Sequence, residues 1–148
     1  PAMVSGTARV VNTLLPSGCV IDGRVEDSIL FPGAKVAEGA IVKDSIIMND
    51  SVIGRDSTID RSILDKEVIV EAGCHVGFGY DFQVNRNDPE VLNTGLTIVG
   101  KRTKIPSGTK IGRNCIIYSN VLEADFRSSN ISSGETVRPR RRRARPKA

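Results

Sequence analysis

The sequence predicts an all-β fold, a single-stranded parallel β-helix of hexapeptide repeats, on three observations. Aliphatic residues recur every five or six positions, three segments align without gaps at a period of 17, and only 4% of the 148 residues are aromatic. A period of six with two inward positions is neither helical nor a simple alternation. It suits a coil of three short strands and three turns, stacked on the next coil about 4.8 Å away.

The aligned segments are DSILFPGAKVAEGAIVK (27–43), DSIIMNDSVIGRDSTID (44–60) and RSILDKEVIVEAGCHVG (61–77), with Ser28, Ser45 and Ser62 in step. Upstream, 12–26 begins the same way and is two residues shorter. The inward aliphatics run Leu30, Val36, Val42, then Ile47, Ile53, Ile59, then Leu64, Val70, Val76. Downstream they continue at a clean six as Val99, Ile105, Ile111 and Ile117. Four residues after most of them stands a small residue or Val, among them Cys19, Ala34, Ser51, Cys74 and Cys115. The pattern predicts about five to six coils over 4–123, roughly 25–30 Å of height.

The hexads break at 78–93, an insert that holds Phe78, Tyr80 and Phe82, three of the six aromatics. A loop this long in a solenoid is expected to be functional or to pack on a coil face or a neighbouring domain. Segment 124–137 is expected to cap the last coil without joining its ladder, so that truncation after Ala124 would leave the fold intact. Residues 138–148 are expected to form a disordered tail rich in arginine.

That tail explains the charge. Its seven basic residues stand without an acid, so the net +4 becomes −3 for the remainder. Nucleic acid is therefore not expected as a partner, nor is a membrane, since no apolar run approaches the roughly 20 residues of a span. No signal peptide opens the chain. The start Pro1-Ala2-Met3 reads as a domain cut from a longer polypeptide. Three widely spaced cysteines without a CxxC pair argue against zinc and for a reducing, cytoplasmic compartment.

Little chemistry is encoded. There is no Gly-rich phosphate loop, and one histidine, His75, makes neither a Ser-His-Asp set nor the histidine cluster of a β-helical carbonic anhydrase. No catalytic residue and no metal ligand is expected. His75 is read as a solvated turn residue, and Asp56, Asp60 and Asp65 as surface turn acids. Two classes stay open: a regulatory and assembly domain of a sugar nucleotidyltransferase, or a hexapeptide acyltransferase with His75 as base.

Ser62-Ile63-Leu64-Asp65-Lys66-Glu67, the stretch Gly95-Leu96-Thr97-Ile98-Val99-Gly100-Lys101, and the hexad Ile105-Pro106-Ser107-Gly108-Thr109 carry a more specific likeness. Over about 4–122 the chain resembles the C-terminal left-handed β-helix of glucose-1-phosphate adenylyltransferases (ADP-glucose pyrophosphorylases). Glu67 departs from the Asn usual there. The handedness is taken from this resemblance, against the general preference for right-handed crossovers.

The resemblance implies a parent enzyme that joins ATP and glucose 1-phosphate for glycogen synthesis, with Mg2+ accompanying the ATP and no cofactor in this domain. The catalytic domain is absent here, so the chain alone is expected to be inactive. Implied partners are that catalytic domain, further copies in a tetramer, and phosphorylated effectors. The implied allosteric anion ligands are Lys66 and Lys101, with Arg102 and Lys104 beside them. The same domain of another sugar nucleotidyltransferase, such as one making GDP-mannose, fits as well.

Overall fold

A computed structural model describes residues 1–140, and residues 141–148, most of the expected disordered tail, lie outside the described residues. The chain winds through short parallel strands that stack into sheets of six, seven and six strands, the three faces of a prism. One face is built on the inward column Ile21, Val36, Ile53, Val70 and Ile105. The second runs from Val10 through Val25, Val42, Ile59, Val76 and Ile111 to Ile131. The third stacks Leu30, Ile47, Leu64, Val99, Ile117 and Val137. Every aliphatic assigned inward from the hexads is at most 3% exposed. Each fully buried Ile contributes on the order of 2–3 kcal/mol, so aliphatic columns replace the aromatic rings the chain lacks.

The corners explain the rest of the repeat. A residue with φ near +45 to +90° sits at most turns, and one corner reads Gly18, Gly33, Asp50, Glu67, Arg102 and Asn120 down the prism. Asp and Asn are the non-glycine types that enter this left-handed region most readily. The corner amides turn back to the preceding coil, as Asp50 N does to Pro32 O at 3.2 Å and Glu67 N to Asn49 O at 2.9 Å. The serine column is a hydrogen-bonded ladder. Ser45 N donates to Ser28 Oγ at 3.2 Å and Ser62 N to Ser45 Oγ at 3.1 Å. Each hydroxyl donates onward to the carbonyl two residues before it. A buried hydroxyl thus has both of its roles filled. The three cysteines are buried and free, as the small inward position requires.

Three expectations are corrected. Segment 124–137 is not an appended cap. After a 3-10 turn at Glu123–Asp125 the strands Asn130–Ile131 and Thr136–Val137 extend two of the sheets, and the prism reaches a seventh coil. Ile131 and Val137 keep the six-residue spacing, which the interruption at 122–129 hides. The ordered chain also runs beyond 137. The Arg138 guanidinium lies 4.3 Å from the Tyr118 ring centroid, and Arg140 N donates to Asp125 Oδ1 at 3.0 Å. Finally, His75 and Asp60 are strand residues, in His75–Val76 and Thr58–Asp60, rather than turn residues. Among the described residues no helix is long and apolar enough to cross a membrane.

A lysine corner and a loop packed across the coils

Leu64 is level with Val99 in adjacent strands. Two residues on, Lys66 and Lys101 occupy the same corner of neighbouring coils, and Arg102 N donates to Lys66 O at 3.0 Å. Their backbones are therefore one strand spacing apart, about 4.8 Å. Asp65 Oδ1 accepts from Lys66 N at 2.7 Å and fixes the turn. Lys66 is exposed and Lys101 half-buried.

The neighbouring cations are committed elsewhere. Arg102 Nε lies 3.4 Å from Glu67, and Lys104 Nζ 3.3 Å from Glu71. The Glu71 carboxyl is held below its usual range, first by its hydrogen bond with Lys104 and then by that with Ser107. The expected convergence of Arg102 and Lys104 with Lys101 is thus replaced by ion pairs to the preceding coil. Among the described residues, Lys66 and Lys101 have no ion pair. Like charges stacked on adjacent strands repel, and a bound anion would relieve that repulsion.

Sequence reasoning missed a second cluster, at the root of the insert. Arg113 is buried; its Nη2 donates to Asp60 Oδ2 at 2.9 Å and its Nε to Gly79 O at 3.0 Å. Its guanidinium also lies 5.5 Å from the Phe82 ring centroid. Lys110 Nζ stands 4.8 Å above the Phe78 ring, and His75 meets that ring edge-on at 5.0 Å. Burial pushes the His75 pKa down; the charge of Asp60 opposes this, while Arg113 and Lys110 add to it. The available signal was the coincidence of three aromatics in the insert with Arg113-Asn114, polar residues where the hexad rhythm offers a turn.

Further along, Asn85 is fully buried and its Nδ2 donates to Asn114 O at 3.0 Å and Thr136 Oγ1 at 3.2 Å. Asn114 Nδ2 in turn donates to Phe82 O and Gln83 O, both at 3.1 Å. The insert therefore lies on the coils it bypasses. Among the described residues no group of three or more His, Cys, Asp or Glu is placed to hold a metal.

Comparison with known proteins matches this architecture. The model of the GlmU-like, C-terminal hexapeptide family matches residues 3–99. The glucose-1-phosphate adenylyltransferase of Thermomicrobium roseum is 46% identical, over 94% of this chain and 33% of the relative. That of Pseudothermotoga lettingae is 42% identical, over 93% and 32%. That of Thermotoga maritima is 39% identical, over 93% and 32%. The chain spans about a third of the length of these curated relatives. In fold, it is similar to the acetyltransferase domain of PglB from Neisseria gonorrhoeae, with a TM-score of 0.55 over 94% of this chain and 57% of that one, at 20% identity. With hexads, inward columns and family model in agreement, the chain belongs to the GlmU-like C-terminal hexapeptide family.

Proposed function

We propose that this chain is the regulatory and assembly domain of a glucose-1-phosphate adenylyltransferase, and that the Lys66–Lys101 corner binds a phosphorylated effector. The observation that carries the reading is the stacking of two lysines without ion pairs on neighbouring coils, in a chain 46% identical to an adenylyltransferase over 94% of its length. Lysine suits a phosphate when two point charges need only converge on it. Adenylyl transfer from ATP, with its Mg2+, falls to a catalytic domain outside this chain.

A surface is at hand for that domain or for another copy in a tetramer. Ile29, Ile46, Ile63, Ile98 and Ile116 form one outward column on the third face. No charge interrupts it, whereas Lys35 and Lys104 interrupt the corresponding column on the first face and Arg9, Arg24 and Lys110 that on the second.

The test uses the intact adenylyltransferase. Lys66→Ala and Lys101→Ala should each raise the effector concentration for half-activation about tenfold, the loss of one charge-assisted contact. The unactivated rate should stay the same. A wild-type effector response in both variants would overturn the reading.

A further inference from the structure

The terminal coil is held more thinly than the others. The sheet on the first face ends at Lys104–Ile105, beyond which the last coil adds no paired strand there and bonds through Lys104 N to Val121 O at 2.9 Å, while it joins the other two faces through two residue pairs on each. The insert occupies the place of further support. Its chain leaves after Gly77, and Phe78 N donates to Ile111 O at 2.7 Å in the sixth coil. It then reaches the seventh coil, where Arg86 N donates to Gly134 O at 3.0 Å and Asn85 meets Thr136. Gly134 has φ +82°, and a Cβ there would stand 2.6 Å from Val84 O, so the close approach requires glycine. The return leg is anchored too: Leu92 is 2% exposed, Asn85 N donates to Leu92 O at 3.0 Å, and Gly95 N donates to Asn114 Oδ1 at 2.7 Å.

We infer that residues 78–93 are a strap that holds the terminal coils in register, so that release of the strap and melting of the seventh coil are one event. In a stack whose units contact only their neighbours, end units fray first. A segment that bonds to the sixth and seventh coils at once makes their opening cooperative. Asn85 and Asn114 are both fully buried and hydrogen-bonded. Parting strap and coils therefore breaks these linked hydrogen bonds together. The outer side of the strap carries Tyr80, 92% exposed, and Val91, 77% exposed, which gives any binder a handle on this device. The inference is independent of the lysine corner.

Hydrogen exchange on the full chain tests it. The amides of Gly112, Ile116 and Tyr118 donate to Ile131 O, Glu135 O and Val137 O, and report docking of the seventh coil. Phe78 and Arg86 report the strap, and Lys35, Ile41 and Val52 the early coils. In Asn85→Ala, strap and seventh-coil reporters should exchange about tenfold faster together while the early coils keep their rates. Leu92→Ala loosens the strap from its return leg and should give the same pattern. Faster strap exchange with unchanged seventh-coil reporters would overturn the inference. So would unchanged rates throughout, or equal acceleration of all coils.

Discussion

Asp60 and Arg113 meet at 2.9 Å across an intervening coil that contributes only a glycine between them. In register, Gly77 lies between Asp60 and Gly112. A Cβ on Gly77 would collide with the Asp60 carbonyl oxygen. Glycine is thus required where this strand passes the Asp60 backbone, with φ at +82°, and the insert departs from that same glycine.

Arg113 has a side chain 9% exposed and Asp60 one 28% exposed, so the pair is sheltered from solvent. Arg113→Met should destabilise the chain by about 2 kcal/mol, since it leaves the Asp60 carboxylate partly buried without its partner. Asp60→Asn should cost less, because an amide oxygen still accepts from the guanidinium. Urea titration of the two single variants and the double variant should show non-additive losses. Simple additivity would mean that the pair contributes nothing as a pair.

Truncation after Ala124 is now expected to be damaging. It removes two ladders and uncovers Ile111, Cys115 and Ile117, all 0% exposed in the intact chain. The loss should be at least about 3 kcal/mol, a fall in Tm on the order of 10 °C. A thermal melt of the truncated chain that overlays the full-length curve would contradict the seventh coil.

His75 gives stability a pH dependence of definite sign. Burial holds its folded pKa below the ordinary value of 6.5, so the unfolded chain binds the proton more readily. Stability from this residue is therefore full above pH 6.5 and is lost as the pH falls through the window below it. The Tm should drop between about pH 7 and pH 5, and His75→Gln should lose part of that slope. An unchanged slope in the variant would assign the dependence to other groups.

The hexads made the prism legible because inward positions tolerate nothing but compact apolar or small hydroxyl side chains. Ile59, Val76 and Ile111 could be placed on one column by counting alone. The seventh coil was not legible, since Ile131 stands fourteen residues beyond Ile117 and the eye meets a polar interval with Ser119, Ser128 and Ser129 first. Lys66 and Lys101 could be named from the family likeness. That Arg102 and Lys104 are spent on Glu67 and Glu71 depends on cross-coil register, which no local motif displays. Arg113 was invisible for a related reason: its partner Asp60 lies two coils back, and only the winding brings them together.

The insert between Gly77 and Gly95 takes up about one coil's worth of chain, yet Thr97 resumes the register of Ser62 without a slip. The prism therefore behaves as a ruler with independent gradations. Whole coils can be looped out, added or dropped, and each such change slides a corner residue along the axis by about 4.8 Å without altering which way it faces. The distance between the lysine corner and the first coil is set by an integer, and a lineage could retune that distance by length changes alone.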